Sequence, residues 1–283
     1  MFNKRKLNIL AGSSGGRFRV AILFLACATF SAVVHAATRS VEGLEFDSVV
    51  VYGSVDVEIA MGEAPSLRVR GDDEALDKQP FYVRGDTLYL GRSDRGKKFS
   101  SVKYKLVAAD LKSISLRGSG DVYVKPIEVP ELELEVDGSG EMKLFSVSAE
   151  VLDISVAGSG AIQLAEARAE DMEVSVAGSG EVDLGIVEAG RLEVSMSGSG
   201  DIQATENGRS ELVDVNLAGS GDIDLGSVQA QTVGVNIAGS GDVTVWAEVS
   251  LEANIMGSGD VRYHGEPKIE SRILGSGDVV RKK

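Results

Sequence analysis

The chain has 283 residues, 43% of them hydrophobic, with 34 glycines, 5 prolines, 5% aromatics and a formal net charge of −14. That length holds one large or two modest domains, and glycine without matching proline or aromatics describes an ordered chain rich in tight corners. The acidic balance excludes nucleic acid and anionic lipid headgroups as partners, because binding either depends on Lys and Arg neutralising phosphates.

Residues 1–36 read as a signal peptide. Lys4, Arg5, Lys6, Arg17 and Arg19 precede the apolar run VAILFLACATFSAVV, and Val34-His35-Ala36 offers small residues before a cut. The run has 15 residues, whereas a membrane-crossing helix needs about 20. Cleavage removes five positive charges and no negative ones, leaving 24 basic against 43 acidic residues, a net of −19. It also removes Cys27, the single cysteine, so the exported chain has no thiol. Cys27 sits in FLAC, a faint lipoprotein-like signal, but the apolar residues after it favour export without a lipid anchor.

Residues 37–110 form degenerate N-terminal β rungs and a cap. VVVYGSVDVEIAMG and SLRVRGDD alternate apolar residues up to Gly53 and Gly71, while GRSDRGKKFSS, Gly91 to Ser101, lacks a period and reads as a loop.

Residues 111–283 carry the repeat. Gly-Ser-Gly triplets begin at Gly118, Gly138, Gly158, Gly178, Gly198, Gly219, Gly239, Gly257 and Gly275, spaced by 20 or 21 residues and, for the last two intervals, 18. Such a period marks a solenoid, in which no unit buries its own apolar face and stacking makes the core. Two residues before each triplet stand Leu116, Val136, Val156, Val176, Met196, Leu217, Ile237, Ile255 and Ile273. Four residues after each first Gly stand Val122, Met142, Ile162, Val182, Ile202, Ile223, Val243, Val261 and Val279. Polar residues occupy most intervening places, and this period of two makes each rung a pair of short strands meeting at the triplet. A third short piece, marked by Val147, Ala167, Val187 and Val228, returns the chain to the next rung, with rungs stacked about 4.8 Å apart. The expected fold is all-β, a right-handed single-stranded parallel β-helix of about 20 residues per rung. Pro267 and Arg281-Lys282-Lys283 place a missing donor and positive charge near the C-terminal edge, which is otherwise open to self-association.

Three chemistries fit a Gly-rich corner followed by an acid. A phosphate loop is excluded, since no helix or Gly-Lys-Ser/Thr follows the triplet and the next residue is usually acidic. Calcium between rungs is conceivable at Asp121, Glu141, Glu181, Asp201, Asp222, Asp242, Asp260 and Asp278, where stacked carboxylates repel unless water, backbone donors or a cation offsets them. The calcium-binding β-roll repeat is nine residues rather than twenty, and Ala161 interrupts the ladder. A glycan-cleaving β-helix is the alternative enzyme, but His264 is the one histidine after residue 36, and near-identical rungs disfavour a single catalytic geometry. No catalytic, cofactor-binding or metal residue is therefore expected, and no cofactor. A ladder of Ser115, Ser155, Ser175 and Ser195, then Asn216, Asn236 and Asn254, is expected to hydrogen-bond between rungs. Gly200→Val is expected to destabilise far more than Asp201→Ala, on the premise that this corner needs positive φ.

FDSVVVYGSVDVEI, SLRVRGDDE, GDTLYL, the LEVSVAGSGEVDL-like rungs and GSGDVRYHGEPKIESRILGSGDV together resemble the head domain of auto-transporter adhesins, the GIN domain. The likeness spans nearly all of the chain after residue 36. It implies an exported parallel β-helix with a role in adhesion and no catalytic residues. Six residues follow Gly277, too few for the barrel strands of a self-exported adhesin, so a periplasmic or secreted cell-envelope module is expected. The expected function is non-enzymatic binding or scaffolding, with a protein or glycan partner and no transmembrane span after residue 36.

Overall fold

The computed structural model describes residues 37–282. The expected signal peptide, with Cys27, lies outside the described residues. Residues 48–61, and the chain from residue 103 onward, wind as the expected parallel β-helix, a solenoid of about 8 turns.

One turn shows the logic. Glu131–Gly138 leads into a corner, Glu141–Leu144 leaves it, and Val147–Ser148 forms the short third side before Val151–Gly158 begins the next turn. Each strand pairs in parallel with its equivalent 20 residues on, Val136 with Val156, Met142 with Ile162 and Val147 with Ala167. In the following rungs the pieces fuse into Ala161–Gly178 and Glu181–Gly198.

The period of two puts every second side chain inside. From Leu116 to Ile255 the residues two before the triplets are at most 2% exposed, as are Val147, Ala167, Val187 and Val228 on the third side. Burying a Val, Leu or Ile side chain contributes about 1.5–3 kcal/mol, and each ladder places its next member directly on the last. The core is thus a set of columns running the length of the coil.

The corner uses its two glycines for different reasons. Gly198 has φ +139°, a conformation that side chains rarely adopt. Gly200 does not share it. A Cβ on Gly200 would instead lie 2.2 Å from the carbonyl oxygen of Gly180 in the rung below. The positive φ expected at Gly200 therefore belongs to Gly198, and Gly200 is required by close backbone approach.

The N-terminal end is closed. Ser48–Gly53 and Asp56–Met61 make a first rung, with Gly53 in register with Gly118. Above it lie Thr87–Leu90 and Lys103–Ala108, still parallel. The echo at Gly71 does not continue the coil, since Ser66–Gly71 runs antiparallel to Lys103–Ala108 and to Ala37–Glu42. The helix Asp73–Asp77, capped by the Asp72 side chain on the Ala75 N–H, supplies buried Leu76 to this cover. Tyr104 pins it: the fully buried phenol donates to Pro80 O at 2.7 Å and accepts from the Gly91 N–H at 3.1 Å. Burial pushes the phenol pKa well up, against the lowering effect of the Gly91 bond, so the group stays a neutral donor. Gly91 to Ser101 has no long strand, as expected, but its Phe99 is buried and only Arg92 and Lys98 bridge across it.

The C-terminal end differs. Lys268–Gly275 pairs with Val243–Gly257 on one side, and among the described residues no strand pairs with its other side. Ile269 and Ile273, which continue inward columns, are each 38% exposed. Arg281 bonds Glu266 at 2.9 Å, leaving these apolar side chains at the mouth of the coil.

Candidate functional site

The outward columns are the surfaces a partner meets. On the side leaving the corners, Tyr123, Lys143, Gln163, Asp183 and Gln203 stack in register. Two residues further along each rung stand Lys125, Phe145, Ala165, Gly185 and Thr205. Phe145 is held at its rung by its N–H to Val124 O at 3.1 Å, yet its side chain turns outward, leaving the residue 72% exposed. The next two side chains in the column are nearly nothing, and a Cβ on Gly185 would strike the Ala165 carbonyl oxygen at 2.1 Å. A large ring followed by a methyl and a hydrogen opens a groove of about 750 Å³, with Tyr123, 46% exposed, at its Phe145 end.

The rim is polar and charged on both signs. Glu58 bonds Lys105 and Lys125, which hold its carboxyl below the usual range against the opposing effect of burial. Lys143 pairs with Glu141 at 2.9 Å, and the Gln203 amide donates to Asp183. The Asp183 charge, helped by partial burial and by Asp201 and Glu141, pushes the Glu181 carboxyl up. Further toward the C-terminus, Trp246 and His264 occupy the positions following inward Val245 and Tyr263, with ring centres 5.6 Å apart. His264 is thus half-buried against an indole.

The acidic ladder after the triplets is tied into the backbone. The N–H of Asp242 donates to the Asp222 carboxylate at 3.0 Å, that of Asp260 to Asp242 at 2.9 Å, and that of Asp278 to Asp260 at 3.0 Å. In earlier rungs the same N–H donates to the second glycine's carbonyl below, as from Asp201 to Gly180 at 3.1 Å. Arg262 bridges Asp242 and Asp260 at 2.8 and 3.3 Å. Burial raises the Asp242 carboxyl, but the Asp260 N–H and Arg262 outweigh it and hold it below its ordinary value. Backbone donors and one arginine thus offset the repulsion that a cation would otherwise relieve. Among the described residues no three acidic, His or Cys side chains converge as a metal cluster.

The polar ladder before the triplets runs through its asparagines. The Asn236 amide donates to Asn216, and that of Asn254 to Asn236, each at 3.1 Å. Ser115 instead donates to Glu135 at 2.6 Å. A second groove, of about 710 Å³, lies beside this ladder over Ala177, Ser197, Ala218 and Ala238, and ends at exposed Met256 and Leu274.

Periodicity did not single out Phe145 or Tyr123, because it finds what recurs and these aromatics are exceptions to their columns. The legible signal was an aromatic where neighbouring rungs have Lys, Ala and Gly.

Turns of about 20 residues carrying uninterrupted outward columns place the chain in the class of parallel β-solenoids, a fold suited to presenting a long surface. Its family follows from a family model that matches residues 45–206 and again 147–267: the chain belongs to the family described as "Putative auto-transporter adhesin, head GIN domain". It is similar to a solved structure described as "Putative lipid binding protein" from Parabacteroides distasonis, at 29% identity and TM-score 0.64, covering 87% of this chain and 96% of that one. Two structures described as putative adhesins share the fold. That from Parabacteroides merdae has 22% identity, TM-score 0.68 and coverage of 87% and 96%. That from Parabacteroides distasonis has 21% identity, TM-score 0.69 and coverage of 88% and 97%. A search of curated proteins yields no match. No helix among the described residues is long and apolar enough to cross a membrane.

Proposed function

We propose that the protein is an exported, non-enzymatic binding module of the cell envelope, periplasmic or secreted, that holds an extended glycan along the groove beside Phe145. The observation that carries this reading is the exposed Phe145 ring. Its apolar face is kept in water beside a floor of Ala165 and Gly185, at a standing cost in hydrophobic free energy. Aromatic faces take the C–H surfaces of sugar rings, while Lys143, Gln163 and Asp183 offer hydroxyl groups a donor or acceptor at every rung. Repetition along the axis suits a polymer. A glycosidase would need two carboxyl groups poised at one bond, whereas of the three carboxylates lining the groove, Glu58, Asp183 and Glu206, the first two are engaged by Lys105, Lys125 and Gln203.

The relative described as lipid-binding favours a second reading, in which the same groove takes an apolar chain. The two separate experimentally. The full chain is applied to an array of envelope and host glycans and, in parallel, to zwitterionic liposomes. Retention on glycans should fall about tenfold in Phe145→Ala and Tyr123→Ala, since buried aromatic contacts at a binding surface are commonly worth more than 1 kcal/mol. Neither substitution should move the melting temperature by more than about 2 °C, because both rings are substantially exposed. Absence of glycan retention, or retention indifferent to both changes, overturns the glycan reading. Liposome retention lost in Phe145→Ala would replace it with the lipid one.

A further inference from the structure

We infer that the open C-terminal rung is a homodimer interface, in which Lys268–Gly275 pairs antiparallel with the same strand of a second copy about a twofold axis at Ser271. The two ends of the coil are unlike. At the N-terminal end Val49, Val51, Val57 and Ile59 are fully buried under the antiparallel cover, whereas Ile269 and Ile273 at the other end are each 38% exposed. Exposed Leu274 and Val280 extend this apolar area around the rim. An uncovered strand edge presents unpaired N–H and C=O groups that template pairing with another chain. The N-terminal cover also ends in edge strands, Ala37–Glu42 and Phe81–Arg84, but these run antiparallel over a buried core and offer no parallel rung edge on which the coil could continue head to tail. The pairing that remains is of the end with itself, an isologous contact that closes at two copies.

The sequence of the edge is complementary to its own reverse. With Ser271 opposite Ser271 of the partner subunit, Ile269 faces Ile273 of the partner subunit, and the partner's Ile269 faces Ile273. These residues continue the inward columns of Leu251 and Ile255, so their contact extends both cores across the axis. Glu270 and Arg272, which continue outward columns, meet as two opposite-charge pairs. Lys268 falls opposite Leu274 and lays its aliphatic stem along it. A small residue on the axis lets the strands close. The acidic field of the chain does not oppose this approach, since Glu266 to Lys283 holds five basic and three acidic residues.

Two experiments on the full chain test the pairing. Light scattering coupled to size exclusion should give a mass near twice that of the chain, falling toward the monomer on dilution. Arg272→Glu sets like charges opposite at both pairs and should raise the dissociation constant at least tenfold. Adding Glu270→Arg to Arg272→Glu restores the pairs with signs exchanged and should recover dimerisation. In a Cys27→Ser background, Ser271→Cys should form an intermolecular disulfide under mild oxidation, because directly opposed residues lie about 4.5–5.5 Å apart between Cα atoms. Ser258→Cys, at an exposed corner of the preceding rung, should not. A monomer at every concentration, a mass that grows beyond two copies, or a dimer indifferent to Arg272→Glu overturns the inference. So does equal cross-linking at the two cysteine positions. None of these readouts depends on whether the Phe145 groove binds anything.

Discussion

Replacing Gly200 with alanine adds one methyl group and asks whether close approach, rather than backbone conformation, fixes the corner. The Cβ would sit 2.2 Å from Gly180 O and 3.1 Å from a Val176 methyl. Rungs 179–181 and 199–201 must separate by about 1 Å to restore van der Waals contact. The same Gly180 oxygen accepts the Asp201 N–H at 3.1 Å, so that bond is stretched or lost. Overpacking costs about 1–3 kcal/mol and a stranded backbone donor about 1–3 kcal/mol, giving a central expectation of about 4 kcal/mol. In a chain of this size that lowers the melting temperature by about 8–16 °C. Asp201→Ala, which removes an exposed side chain, should cost less than about 0.5 kcal/mol. Thermal melts of the two variants, with hydrogen exchange at the amides of Ser199 and Asp201, check both size and place. Equal shifts, or a Gly200→Ala melt within about 1 °C of the parent, would refute the close-approach account.

Tyr104→Phe leaves the Gly91 N–H and the Pro80 carbonyl without their buried partner, at about 2 kcal/mol. Its melt should fall by about 4–8 °C, with exchange rising in the N-terminal cover before the central rungs. Asp242→Asn tests the ion-pair rung at Arg262. The Asp242 carboxyl titrates lower in the folded chain than in the unfolded one. Its contribution is therefore complete above the ordinary carboxylate value and is lost as pH falls through the lower, folded value. The substitution should cost no more than about 1 kcal/mol at neutral pH, because the pair is partly exposed and screened. That cost should vanish under acid, and an equal loss at pH 7 and at pH 2 would contradict the assignment.

The coil was legible because its causes are periodic. Alternation fixed which face of each strand is buried, and the 20-residue spacing fixed which residues stack, down to Val136 on Val156. The cover was less legible, since antiparallel Ser66–Gly71 shows the same alternation as a rung and its direction depends on contacts with Lys103–Ala108. The roles of the two corner glycines depend on neighbouring-rung distances that a linear pattern does not contain. The candidate site was hidden for the opposite reason. Phe145 matters by breaking its column, and Gly185 because the backbone of the rung below leaves its place no room for a Cβ. The self-complementarity of Lys268–Gly275 is written in the sequence, but it acquires meaning only beside an edge with no strand on its far side.

From the corner at Gly138 to that at Gly219, each corner repeats the same two backbone bonds, such as Ser199 N–H to Gly178 O and Asp201 N–H to Gly180 O. Within that span a rung therefore has no address. What lies above one corner fits above another, and a 20-residue duplication inserted between triplets meets the same acceptors as the rung it copies. The molecule is a ruler whose length, about 4.8 Å for each such unit, evolution can adjust by copying rather than by redesign.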